Sequence, residues 1–269
     1  PDRDDARSDV ARLTEALGGA VELDLPILRE LPGQLRRSDY RLTATVVDSR
    51  LVELEEGHTG EAFYGLAFDI GTTTLVGSLV DLRTGKDLGL ASMVNPQTSF
   101  GDDVVTRIKR CREHPEGLAD LQQAILDAVN AITEEVARQA GIRSRAICDA
   151  AFAGNTTMQQ ILCGIDPGAL GELPFAPAFD APLRIRAAEL GLRIHPRADV
   201  NVFPQIGGFV GGDTVAGIIA TRLDRAKAPA LLVDVGTNGE IVLSHNGRLT
   251  ATSVAAGPAF EGARIRNGM

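Results

Sequence analysis

The chain has 269 residues, a net charge of −9 and 44% hydrophobic residues, with no tryptophan and only 4% aromatics. This acidic balance argues against a nucleic-acid surface, which draws on clustered Lys and Arg, and no run of about 18 apolar residues is present to cross a membrane. The core has to be built from Ala, Val, Ile and Leu, which suits helices laid on buried sheets. Cys111, Cys148 and Cys163 contain no CxxC pair, so their spacing fits neither zinc, an iron–sulfur cluster nor a disulfide framework. Reduced thiols in a cytoplasmic protein are the expectation.

Residues 1–62 read as a small α/β unit. A helix is predicted over 8–17 and another from Pro26 to Arg37, interrupted or started by Pro32. RLTATVVD and RLVELEE follow as strands, and the polar, glycine-containing run Glu55–Glu61 marks a boundary. From Phe63 a β-meander is predicted: FYGLAFDI, a GTT bend, TLVGSLVDL, an RTGK turn and DLGLASMV. Asn95-Pro96-Gln97 reads as an exposed polar loop entering a helix. Helices are expected over Asp102–Arg112 and Leu118–Ala140, the second with apolar residues at spacings of three and four and with Gly141 as its C-cap. AICDAAFAG is a strand, and Asn155 caps a helix TTMQQILCG that is either a plain capped helix or, with its first N–H groups facing outward, an anion site. The proline-rich stretch 166–204 is expected to be mostly loop, with one helix near Leu183–Leu190. GGFVGGDT leads into an apolar helix, VAGIIATRL. His58, His114, His195 and His245 have no ligand spacing and are expected on the surface or in loops.

ALLVDVGTNGEIVLSHNGRLTATSVA then repeats the plan of the first meander: apolar strand, Asp-Val-Gly-Thr, strand, Asn-Gly turn, strand. Asp69 and Asp234 are the matching acids, and two such units predict a duplicated fold. Each bend carries what a triphosphate needs. Glycine permits a tight turn whose N–H groups point at the oxygens, hydroxyls add donors, and a carboxylate can hold magnesium that bridges the phosphates. Asp69, Gly71, Thr72, Thr73 and Thr74 supply one set; Asp234, Gly236, Thr237, Asn238 and Gly239 supply the other. Either bend alone is also an ordinary hairpin. Glu240 either orients water or is a solvated strand residue. By residue type alone Asp213 reads as a cap for the helix that follows it.

The pair DIGTTT and DVGTNGE resembles the two phosphate loops of the actin, sugar kinase and heat-shock chaperone superfamily. GLAFDIGTTT, NPQTSFGDDVVTRI, AGNTTMQQILCGIDP, GGFVGGDTVAGI, LLVDVGTNGE and AAGPAFEGA are similar, block by block, to the ATP-dependent reductive activators of corrinoid proteins. The resemblance implies a duplicated ribonuclease H-like (actin-like ATPase) α/β fold, with mixed β-sheets flanked by helices. A first subdomain would cover 63–204 and the start of a second 205–269, preceded by the small domain of 1–62.

It also implies ATP and Mg2+ as ligands, with Asp69 and Asp234 near the metal, Asp213 and Glu240 as catalytic candidates, and a cleft- or partner-facing role for Asn95-Pro96-Gln97. The partner implied is a corrinoid protein of a methyltransferase system, returned from Co(II) to Co(I); the electron donor is left open. Family members carry a two-iron two-sulfur cluster in a ferredoxin-like domain that these residues do not include. The adenosine pocket would lie largely in a stretch beyond RIRNGM, so weak or no nucleotide binding is expected, with an exposed second sheet that invites homodimerisation or instability. A small-molecule kinase and a nucleotide-binding scaffold without turnover are the alternatives. The kinase is disfavoured by the lack of a polar sugar-binding insert between Asp81 and Asp213.

Overall fold

A computed structural model of the chain describes residues 5–60, 62–236 and 238–255. The chain divides into two compact units, Pro1–Phe63 and Tyr64–Met269. In the first unit, helices α1 (Asp9–Leu17) and α2 (Leu25–Arg37) pack with the antiparallel pair β1 (Leu42–Val47) and β2 (Arg50–Glu56). Ser8 and Asp24 cap the helices by accepting N–H groups of the first turn. Contrary to expectation, Pro32 neither starts nor breaks α2. Ile27, Leu31 and Leu35 bury one face around it with Leu13, Leu51 and Leu54, and this burial outweighs the hydrogen bond that proline removes.

The second unit begins with the meander β3 (Tyr64–Ile70), β4 (Thr74–Asp81) and β5 (Lys86–Val94). Helices α3 (Val104–Glu113) and α4 (Gly117–Ala140) follow, then β6 (Ile147–Gly154), α5 (Thr156–Leu162), β7 (Leu183–Arg186), α6 (Ala187–Leu190) and β8 (Asp199–Val202). The strands form one mixed sheet in the order β5-β4-β3-β6-β8-β7, with β6 parallel to both β3 and β8. Helix α4 lies on β4 and β5, placing Ile125, Val129, Ile132 and Val136 in one core with Phe68, Ile70, Leu75 and Phe152. Phe68 and Phe152, register partners on β3 and β6, stack at 5.0 Å. Gly141 ends α4 at φ 68, in the left-handed region that glycine adopts without penalty.

Helix α7 (Gly212–Thr221) leads to a second sheet, β9 (Ala230–Val235), β10 (Asn238–His245) and β11 (Arg248–Ala255), antiparallel in the order β11-β10-β9. Ile218, Leu223 and Val242 form a smaller core between α7 and this sheet.

The stretch 166–204 departs from the expected loop. It contributes β7 and β8 to the sheet, and the predicted helix shrinks to α6, its first half being strand. The reason is local poverty of signal. Asp-Val-Asn-Val is stable as β8 only because Val200 and Val202 are buried beside β6, and its Asp199 is fully buried against Arg184. A charged residue inside a four-residue strand hides its periodicity. His195 lies in a loop, as expected, but is buried there, accepting the Arg197 N–H at Nδ1 (3.2 Å).

Candidate functional site

A cavity of about 300 Å3 opens in the second unit between the bend after β3 and the bend after β9. Asp69, Gly71, Thr72, Thr73 and Thr74 line one side, and Asp234, Gly236, Asn238 and Glu240 the other. Asp213, from the first turn of α7, and Asn155 complete the wall. Two segments far apart in sequence thus contribute equivalent bends to one hollow. Of the residues singled out in sequence, Gly239 is buried beside the lining, paired with Val235 and Val254, and Thr237 lies outside the described residues.

The first bend is held from behind. The Asn95 side-chain amide donates to the Gly71 carbonyl (2.8 Å), and its backbone N–H donates to the Thr73 carbonyl (2.8 Å). Between them, Arg107 Nη2 donates to the Thr72 carbonyl (2.6 Å). Asn95 and Gln97 are both fully buried, so the expected exposed loop is an internal brace instead. The residue types at Asn95 and Gln97 indicate only a turn, because a polar run next to proline has the signature of a surface turn, while the resemblance suggests a cleft- or partner-facing role there; Arg107 was not singled out. Gly71 has no room for a side chain, since a Cβ would sit 2.4 Å from the Thr74 carbonyl oxygen.

Asn155 serves two purposes. Its Oδ1 accepts the Met158 N–H as the cap of α5, and its Nδ2 donates to the Thr72 hydroxyl (2.9 Å). Helix α5 itself is buried along its whole length, so of the two readings offered by the sequence the plain capped helix holds and the outward-facing anion site does not. It acts instead as an anchor for α7. Gln159 accepts the Gly212 N–H (3.1 Å) and donates to the Phe203 carbonyl. Gly211 passes so close to the β6–α5 junction that a Cβ would stand 2.4 Å from the Gly154 oxygen. Asp213 is thereby set at the cleft. Its carboxylate accepts its neighbour Thr214's N–H (2.7 Å), whereas the N-cap position belongs to Gly211.

The acids are crowded. Burial, and then the charge of Asp213 and Asp234, lifts Asp69 to about 6. Its carboxylate is open to the cleft, but protein surrounds that opening and thins the water able to solvate the charge. Glu240 is pushed up to about 7 by burial and by Asp213, although the Ser253 hydroxyl donates to it. At 5% exposure it is not a solvated strand residue. Asp213 is also raised, chiefly by burial. Among the described residues no group of three or more His, Cys, Asp or Glu could by itself hold a metal ion. A hard cation here would keep several waters and take phosphate oxygens, as magnesium commonly does. The open Asp69 and Asp234 carboxylates fit that mode. The cysteines form no disulfide and no metal-ligating group among the described residues. No described helix is long and apolar enough to cross a membrane.

Comparison with known proteins adds the family. The family described as the RACo middle region matches residues 64–226. The chain belongs to it. The RACo linker region matches residues 1–61, and the C-terminal domain of RACo, the ASKHA domain, matches 228–269. A solved structure, "Reductive activator for corrinoid,iron-sulfur protein", superposes with a TM-score of 0.94 at 36% identity, covering 100% of this chain and 44% of that one. The corrinoid activation enzyme RamQ of Eubacterium limosum is 35% identical over 264 residues, covering 91% of this chain and 44% of that protein. The [Co(II) methylated amine-specific corrinoid protein] reductase of Methanosarcina barkeri is 26% identical over 219 residues, covering 77% of this chain and 38% of its own length. The chain therefore spans less than half of the relatives it matches. The expected fold class holds: a mixed α/β architecture of the actin-like ATPase type.

Proposed function

We propose that these residues form the nucleotide-binding and hydrolysing core of a reductive activator that drives a corrinoid protein from Co(II) to Co(I). The observation that carries this reading is the single cavity shared by Asp69 with its threonine bend and Asp234 with its glycine bend. Thr72, Thr73 and Thr74 would donate to the β- and γ-phosphates from one side. Gly236, Thr237, Asn238 and Gly239 would cradle them from the other. Asp69 and Asp234 would hold Mg2+, which when bound neutralises charge on the phosphates. Asp213, anchored through Gln159 and raised toward neutrality, would orient water and accept its proton. Glu240 beside it would share that proton. We place the boundary between the subdomains near residue 204, so that α7 travels with the second bend.

The names of the relatives support a corrinoid protein as partner and reduction as the coupled event. Opening and closing of the cleft would transmit ATP turnover to that partner. The two-iron two-sulfur cluster would belong to a part of the protein outside these residues. Phosphate release is the test, using the complete protein with ATP alone and then with a Co(II) corrinoid protein. Stimulation by the corrinoid protein is expected, and Asp69→Ala or Asp234→Ala should remove Mg2+-dependent ATP binding. Stimulation only by a small hydroxyl compound would replace this reading with a kinase, and binding without release would replace it with a scaffold.

A further inference from the structure

Among the described residues Arg107 is the largest side chain to be fully buried, and its surroundings are unusual for a buried cation. Its guanidinium donates to the Gly101 carbonyl (3.0 Å), Gln97 Oε1 (3.0 Å), Met158 Sδ (3.0 Å) and the Thr72 carbonyl (2.6 Å). Every one of these acceptors is neutral. Among the described residues no carboxylate stands within ion-pair distance of it, and Asp102 and Asp103 act on it only at longer range. Burying a charge without a countercharge is costly, and a fold that does so needs a compensating interaction elsewhere.

The geometry points to where that compensation comes from. The carbonyls of Gly71, Thr72 and Thr73 are taken, in order, by Asn95 Nδ2, Arg107 Nη2 and the Asn95 backbone N–H. In a planar trans peptide the next residue's N–H points opposite to the carbonyl. Fixing three consecutive carbonyls on the buried side therefore turns the N–H groups of Thr72, Thr73 and Thr74 toward the cavity side, where successive amides make an anion-binding concavity. Arg107 stands one peptide plane behind that concavity.

We propose that Arg107 is a positioning residue for the cleft anion: it turns the Thr72 peptide and keeps, behind the bend, a positive charge that a bound polyphosphate completes. This rests on the nucleotide reading of the same cavity and adds to it the source of the bend's affinity for highly charged phosphate chains. It also gives the stretch from Asn95 to Arg107 a single task. Gln97 links it to the rest of the lobe, accepting from Arg107 and donating to the Leu121 carbonyl of α4 (2.8 Å).

The test is to titrate the complete protein, as wild type, Arg107→Gln, Arg107→Lys and Gln97→Glu, with the magnesium complexes of orthophosphate, pyrophosphate and tripolyphosphate, and with Mg·ATP. Binding is read by calorimetry, and folding by circular dichroism and unliganded Tm. Arg107→Gln should weaken tripolyphosphate by at least about tenfold, the loss shrinking for pyrophosphate and again for orthophosphate. Arg107→Lys should recover part of it. Gln97→Glu places a carboxylate against the guanidinium, so it should keep the fold yet weaken tripolyphosphate as well. It decides the matter alone if Arg107→Gln does not fold. A purely structural arginine predicts equal losses for all three phosphates and no loss in Gln97→Glu, and that pattern overturns the proposal while leaving the nucleotide reading intact. A wild-type protein that binds none of these ligands removes both.

Discussion

In the first meander Leu66, Phe68 and Ile70 share a core with α4 and are at most 4% exposed. At the matching places of the second meander, counted from Asp69 and Asp234, stand Leu231, Val233 and Val235, which are 59%, 50% and 48% exposed. The bends after these strands are chemically alike and face one cavity, yet their support differs. Strand β3 is flanked on both edges, by β4 and β6, and the bend after it is braced by Asn95, Arg107 and Asn155. Strand β9 is an edge strand, and among the described residues only its Asp234 face is packed, through Leu232 and Ala230 against α7. A hairpin is specified locally, by an acid, a glycine and a tight turn. Its rigidity comes from partners far away in sequence.

The largest test of that difference is a paired truncation. Phe68→Ala removes a fully packed ring and should cost about 3–5 kcal/mol, whereas Val233→Ala should cost less than about 1 kcal/mol. Urea unfolding followed by circular dichroism measures both, and equal losses would mean that the second meander is as tightly packed as the first.

A smaller contrast is expected at the bends themselves. Gly71 has the Thr74 oxygen 2.4 Å from any added Cβ, while at Gly236 the nearest atom, the Asn238 oxygen, is 3.4 Å away. Gly71→Ala should therefore cost about 1–3 kcal/mol and Gly236→Ala no more than about 0.5 kcal/mol, read as midpoints in the same denaturation.

The smallest effect is one of pH. Asp69 and Glu240 have folded values near 6 and 7, above their ordinary values of 3.8 and 4.5. The folded state thus holds more protons than the unfolded one between roughly pH 4 and 7, and stability falls as pH rises through that window. Glu240→Gln should flatten the fall more than Asp69→Asn, because Glu240 is buried and Asp69 opens to the cleft. Thermal melts at stepped pH measure this. Over the same range Mg2+-dependent nucleotide binding should strengthen with rising pH, as the acids ionise.

Much of the site was legible in the order of residues. Asp69 to Thr74 and Asp234 to Glu240 are short, contiguous runs in which glycine, hydroxyls and acid follow one another, and turn chemistry acts over such distances. The long helix α4 and the two meanders were equally plain, because their apolar spacing persists over many residues. What surrounds the bends was not. The polar run at Asn95 had to be folded beneath Thr72 before it could be seen as a brace, and β8 became a strand only by lying beside β6. Glu240 looked like a surface acid until β10 was placed between β9 and β11. The sequence by itself determined which turns carry glycine, hydroxyls and an acid side by side, since that depends on neighbours in the chain. Tertiary structure alone decided that two of them share one cavity, that a buried arginine stands behind the first, and that no described residue covers the apolar face of β9, because each of these depends on groups dozens of residues apart meeting in space.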